Sequence, residues 1–219
     1  VSLPASCRPL HTGNPVRSEI TQLPTPDERF AKRSGARRVL VIGGSLGARA
    51  LNETVPAAVQ QLAAADALQV HHQTGKDDVD TVQAAYAAQG VDARVEAFVE
   101  DMAAAYAWAD LVVCRSGALT VAELAVVGVA SVLVPYPYAT DDHQTGNARF
   151  LADAGAAVLM PQSTLSADKL AGLLADFLQQ RDMLTEMAGR ARELALPDAA
   201  RRVAEQCLQA AGIDASSAT

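Results

Sequence analysis

Two glycine-rich stretches, Gly43-Gly44-Ser45-Leu46-Gly47-Ala48 and Arg115-Ser116-Gly117-Ala118-Leu119-Thr120, each follow a short apolar run and open an alanine-rich helical pattern. Glycine lets a backbone approach a ligand closely, and a helix start offers unpaired N–H groups to an anion. Three more apolar runs end in Gln73-Thr74-Gly75-Lys76, in Phe98-Val99-Glu100-Asp101, and in a long polar loop from Pro135 to Asn147. Any one of these is weak, because turns need Gly and Ser whatever their role. Together they describe a cleft for a phosphorylated ligand. A diphosphate is the natural guest of two helix N-termini, with no metal required.

Glu123 lies about one turn inside the second of these helices, where its carboxylate can accept both hydroxyls of a ribose. Thr120-Val121-Ala122-Glu123 matches equally well a capping box, in which Glu bonds back to the helix start. Both readings stand. Phe98 can pack against a nucleobase with the Val99 backbone reading the base edge, although a lone Phe after a strand is more often core. His143 and Gln144 can bond sugar hydroxyls or simply be solvated. Ser45 and Thr120 suit phosphate oxygens and are also good helix caps, two compatible roles. Arg115 either offsets diphosphate charge or pairs with a local acid. His71 and His72 fall on opposite faces of a strand and read as structural, as do His11 and Trp108.

Several function classes lose ground. There is no G-x-G-x-x-G with an acidic residue ending the next strand, and no G-x-x-x-x-G-K-[ST] loop, so dinucleotide and ATPase readings weaken. A net charge of −7 argues against a nucleic-acid binder. Arg29, Lys32, Arg33, Arg37 and Arg38 form a local basic cluster that reads as a solvated linker. The 3 cysteines are far apart and lack metal-ligand spacing, which fits a reduced compartment, and no cofactor is implied. No run approaches the ~18 apolar residues of a membrane span, and Val1 to Leu10 lacks the pattern of a signal peptide. The expectation is a soluble, cytoplasmic chain.

Short β-branched runs alternate with helical patterns from Arg38 onward. Strands are expected at Val39–Ile42, Leu68–His72, Arg94–Ala97, Leu111–Cys114, Ser131–Val134 and Ala157–Leu159. Helices are expected at Leu51–Ala65, Val79–Gln89, Met102–Trp108, Val121–Val127 and Asn147–Asp153, and helical pattern dominates from Leu165 to about Ala211 with a break at Pro197. Strands alternating with helices imply an α/β fold, a Rossmann-like parallel sheet with helices on both faces. The expected divisions are 1–37 as an extended segment and linker, 38–164 as the sheet core, 165–213 as its terminal helices, and 214–219 as a disordered tail.

In chain order, Thr12-Gly13-Asn14-Pro15-Val16-Arg17, Gly43 to Arg49 with Asn52, His72 to Gly75, Phe98 to Met102, Ala109 to Thr120 and Asp142 to Ala148 resemble the peptidoglycan N-acetylglucosaminyltransferases. The resemblance runs from about Thr12 to Ala211, and Arg115–Glu123 is its most specific stretch. It implies a GT-B fold of two facing Rossmann-like halves, with this chain as the C-terminal half. That half binds UDP-N-acetylglucosamine. The other binds a lipid-linked muramyl-pentapeptide at the cytoplasmic membrane face, and the acceptor C4 hydroxyl displaces UDP with inversion. Carried over by position, Glu123 holds the ribose, Phe98 and Val99 the uracil, and Ser45, Leu119 and Thr120 the diphosphate. Gly43, Gly44 and Gly47 form the phosphate loop, Arg17 and Arg115 lie near the donor phosphates, and His143 and Gln144 address the sugar.

Two departures accompany the resemblance. The family's other pattern has a second glutamine where this chain has His143. Its N-terminal half, with a G-G-T-G-G-H loop, is not in the sequence, so the general base, the acceptor site and most membrane contact are expected there. No catalytic residue is identified here, and the chain is expected to bind donor without turnover. The donor half of another UDP-sugar transferase, such as a diacylglycerol galactosyltransferase, and a non-catalytic nucleotide-binding module are the competing readings.

Overall fold

A computed structural model describes residues 9–31, 33–44, 48–62 and 68–213. Six strands, β1 (Arg37–Ile42), β2 (Leu68–Gln73), β3 (Asp92–Glu96), β4 (Leu111–Cys114), β5 (Ala130–Leu133) and β6 (Ala157–Leu159), form one sheet in the order β3-β2-β1-β4-β5-β6. Every neighbouring pair is parallel. Parallel strands need helical crossovers, and these cover both faces.

Side-chain alternation along β1 divides the core. Val39 and Val41 face one layer with Val55, Val59, Leu170, Leu174 and Phe177, contributed by α3 (Arg49–Gln60) and α8 (Ala167–Gln179). The α4 helix (Val79–Ala87) adds Val82 and Tyr86 to the same side. Leu40 faces the other layer with Tyr106, Leu124 and Leu151, from α5 (Met102–Trp108), α6 (Ala118–Val127) and α7 (His143–Ala152). Two further helices, α9 (Arg181–Glu193) and α10 (Ala199–Ala210), follow across a break that contains Pro197. β4 and β6 have the expected limits, while α6 and α7 begin earlier than their apolar periodicity suggests. Their opening residues bury no side chain and so carry no periodic signal. Among the described residues, no helix is long and apolar enough to cross a membrane.

The segment before β1 departs from expectation. Instead of running extended, it forms α1 (Ser18–Thr21) and α2 (Pro26–Phe30), the latter opened by a Thr25/Glu28 capping box with Pro26 at its start. Ile20 and Phe30 are buried against the sheet domain. Nor are all the arginines solvated. Arg29 donates to the carbonyls of Tyr106, Val127 and Gly128, and Arg33 to those of Ala107 and Trp108. These are the orphan carbonyls and negative dipole ends of α5 and α6, which a guanidinium fork suits well. Gly128 ends α6 in the left-handed region (φ +65°), and a Cβ there would lie 2.6 Å from Pro26 Cγ. Burial, then repulsion from Arg33 and Arg192, pulls the Arg29 guanidinium down to about 10, still charged at neutral pH. Lys32 lies outside the described residues.

Arg33 also pairs with buried Asp110 at 2.8 Å, and the second Asp110 oxygen accepts the Arg38 N–H at 3.0 Å. Arg33→Ala leaves this carboxylate short of its partner and is expected to cost about 3 kcal/mol. Arg201→Ala, which removes only exposed ion pairs, is expected to leave the unfolding midpoint almost unchanged. Urea unfolding of the two variants checks the contrast.

His72 is fully buried, with Nδ1 3.0 Å from Tyr86 Oη and Nε2 3.1 Å from Asn52 Oδ1. Burial, helped by neighbouring His71, lowers it from 6.5 to about 3. The unfolded chain therefore takes up this proton at a higher pH than the folded one. Stability is full above about 6.5 and falls as pH drops towards 3, by up to about 1.4 kcal/mol per pH unit. His72→Gln is expected to flatten that slope in denaturant midpoints measured across pH 4–7.

Candidate donor site at the split between β1 and β4

The chain leaves β1 towards β2 and β3, then returns to place β4 on the other side of β1. Loops leaving β1 and β4 diverge at that switch, which opens a crevice at the carboxyl ends of the strands. Here it is a cavity of about 560 Å³ lined by Gly43, Gly44, Arg115, Thr120, Gln144 and Gln162, among others. Five of the residues expected at a donor site are thus brought together. Ser45 and Gly47 lie outside the described residues.

Two helices begin at the crevice, and among the described residues neither has a side-chain cap. Gly117 precedes α6 and Ala48 precedes α3. This corrects the expectation that Thr120 caps its helix. Because α6 opens at Ala118, Thr120 sits in its first turn, and Glu123 is one turn too deep to bond back to the start. The capping-box alternative for Glu123 therefore falls. The first-turn N–H groups of α6, including those of Leu119 and Thr120, have no acceptor within the helix. Leu119 itself is exposed.

Arg115 settles between its two alternatives: it forms no ion pair with a local acid among the described residues. Its guanidinium donates to the carbonyls of Val134 and Pro135 at 3.1 and 3.2 Å and to Gln162 Oε1 at 2.6 Å, beneath the Tyr136 ring. All three acceptors are neutral. Partial burial lowers its pKa; a guanidinium nonetheless stays protonated in proteins, so the crevice keeps a positive charge.

Glutamines and an asparagine hold the loops in place. Gln73, at the end of β2, accepts the Gly44 N–H at 2.9 Å and donates to the Gly44 carbonyl at 2.8 Å and to that of Ala97 at 3.0 Å. It thereby ties the glycine turn after β1 (Gly44 φ +83°) to the loop after β3. Ser116 Oγ donates to the Gln144 carbonyl at 2.8 Å, Asn147 Nδ2 to the Ser116 carbonyl at 3.0 Å, and the Tyr136 N–H to Gln144 Oε1 at 2.9 Å. That last bond leaves the Gln144 amide NH₂ as its donor. Sequence reading singled out none of Gln73, Asn147 or Gln162 as site residues. A polar side chain that ends a buried strand was the available signal for Gln73.

The remaining described candidates, Arg17, Phe98, Val99, Leu119, Glu123 and His143, are not among the residues that line the crevice. Glu123 is mostly buried. Its Oε1 accepts from Arg17 Nη2 at 3.2 Å and its Oε2 from Tyr106 Oη at 3.0 Å. Arg17, just before α1, thus meets Glu123 from a distant part of the chain. Phe98 is 42% exposed under Lys76, not a core residue, and with Val99 lines a separate groove along β3 and α5. His143 begins α7, exposed, with Nδ1 2.7 Å from the Thr140 carbonyl, and does not line the crevice.

Residues 38–203 match the glycosyltransferase family 28 C-terminal domain. A curated protein of Dechloromonas aromatica is 56% identical over 199 residues, covering 91% of this chain and 56% of that protein. One of Nitrosomonas europaea is 54% identical over 201 residues, covering 92% and 56%. Both are named UDP-N-acetylglucosamine--N-acetylmuramyl-(pentapeptide) pyrophosphoryl-undecaprenol N-acetylglucosamine transferase. The crystal structure of Acinetobacter baumannii MurG superposes with a TM-score of 0.79 at 44% identity, covering 85% of this chain and 54% of that one. WaaG, at 18% identity and a TM-score of 0.67, shares the fold. The chain spans about half the length of the curated relatives it matches. With its six-stranded parallel sheet and a crevice at the strand switch, the chain belongs to glycosyltransferase family 28, whose C-terminal domain it carries.

Proposed function

We propose that these residues bind UDP-N-acetylglucosamine as the donor of a transfer to a lipid-linked muramyl-pentapeptide, the reaction in the names of the relatives. One observation carries the reading: two helix N-termini, neither capped by a side chain among the described residues, converge on one crevice with Arg115, whose described acceptors are all neutral. In this reading the diphosphate lies against the first turn of α6, bonded by the N–H groups of Leu119 and Thr120 and by the Thr120 hydroxyl. The glycine turn at Gly43 and Gly44, with Ser45 and Gly47 beyond it, lets the backbone close on the phosphates. Glu123 accepts the ribose hydroxyls, Phe98 and Val99 meet the uracil, and Gln144 donates to the sugar. His143, outside the crevice, reaches the sugar only if its loop moves.

The acceptor C4 hydroxyl attacks the anomeric carbon from the face opposite UDP. The bond from that carbon to the β-phosphate oxygen breaks, and negative charge gathers on the departing diphosphate. Fixed helix dipoles and Arg115 stabilise that charge without reorganising, which lowers the barrier as well as binding the donor. No general base is assigned to these residues. In this reading the lipid-borne acceptor puts the reaction at a membrane surface, the cytoplasmic face being what the family resemblance implies.

Calorimetric titration with UDP-N-acetylglucosamine, UDP, UDP-glucose and NAD tests the reading. Binding of the UDP ligands and not NAD is expected; a folded chain that takes up none of them overturns it. Arg115→Ala should weaken UDP by roughly 10- to 100-fold, the value of a charge-assisted contact, and leave uridine nearly unaffected. Equal losses for UDP and uridine would show that Arg115 supports the fold and not the phosphates.

A further inference from the structure

The phenol of Tyr106 lies 17 residues before Glu123 in sequence and donates to its Oε2 at 3.0 Å. Its ring is fully buried with Leu40, Val112 and Cys114 between α5 and the sheet. A buried hydroxyl needs a partner, and the carboxylate supplies it. Arg17, the group on the other oxygen, differs in kind: its side chain is 54% exposed and reaches in from the segment before α1. One anchor of Glu123 is therefore set in the core and the other is largely exposed.

A carboxylate has about four lone-pair positions. Tyr106 and Arg17 occupy one each, which leaves about two, the number a ribose 2′,3′-diol donates. We propose that Tyr106 is a positioning residue for donor binding, holding the Glu123 carboxylate in the orientation in which its remaining lone pairs meet the ribose hydroxyls. This rests on the reading of Glu123 as the ribose acceptor. A free Glu side chain samples several rotamers, and fixing it before the ligand arrives removes that ordering cost from binding. The phenol remains a donor throughout, because burial, and after it the nearby Glu123, holds its ionisation well above the usual tyrosine range.

The test is ribose discrimination, the ratio of Kd for 2′,3′-dideoxy-UDP to Kd for UDP, measured by calorimetry on the 219-residue chain. The unsubstituted chain should favour UDP by roughly 10- to 100-fold, and Glu123→Ala should bring the ratio close to one. Tyr106→Phe keeps the ring and its packing, and should lower the ratio by roughly three- to tenfold. A Tyr106→Phe chain with the full ratio overturns the proposal. An unsubstituted chain that does not bind UDP, or does not discriminate, sinks the ribose reading and this inference together, and is told apart by needing no substitution. Should Tyr106→Phe fail to fold, ¹⁹F NMR of the fluorotyrosine-labelled chain addresses the same point. The Tyr106 resonance should move with UDP and far less with the dideoxy ligand; equal movements refute the positioning role.

Discussion

Helices α3 and α6 both start at the point where β1 and β4 part, and among the described residues neither start is capped by a side chain. Most helices satisfy their first N–H groups locally, and forgoing that costs about 1 kcal/mol each. Here two partial positive charges face one crevice together with a guanidinium that has only neutral acceptors. Together they give the crevice a positive potential. Much of the surrounding architecture holds these groups in a fixed geometry.

The switch in strand order creates the gap, and side chains at its margin keep it from collapsing or drifting. Gln73 joins the turn after β1 to the loop after β3, and Asn147 with Ser116 joins the loop after β4 to α7. Arg115 is held through Gln162, after β6, so that strand ends from across the sheet set the position of one charge. These are amide and hydroxyl contacts, which fix direction without adding charge that would compete with a diphosphate.

How much of this was legible depends on whether a signal is local. Parallel strands buried on both faces read as continuous apolar runs, so β4 and β6 were found to the residue and the others to within two residues at each end. The glycine loops were legible because the backbone requirement is written in residue type. Contacts that join distant segments were not. Arg29 and Arg33 look like any basic linker cluster, since nothing in their neighbours shows that carbonyls at the ends of α5 and α6 await them. Glu123 was ambiguous for a related reason. A capping box and a ligand contact share one sequence pattern, and only the true start of α6, three residues before the apolar periodicity, separates them.

That same clasp explains how Arg17 comes to face Glu123. With Arg29 and Arg33 bonded to the ends of α5 and α6 and Ile20 buried beneath, the segment before β1 has little freedom, and Arg17 stands immediately before α1. Helix C-termini on one side of the domain thus set the register of a chain segment whose cation arrives beside the candidate ribose acceptor, near the start of α6. The two ends of α6 differ in their surroundings: its negative end holds the preceding segment, and its positive end faces the crevice. A basic cluster that looks like solvated linker is, in physical terms, part of what gives the site its shape.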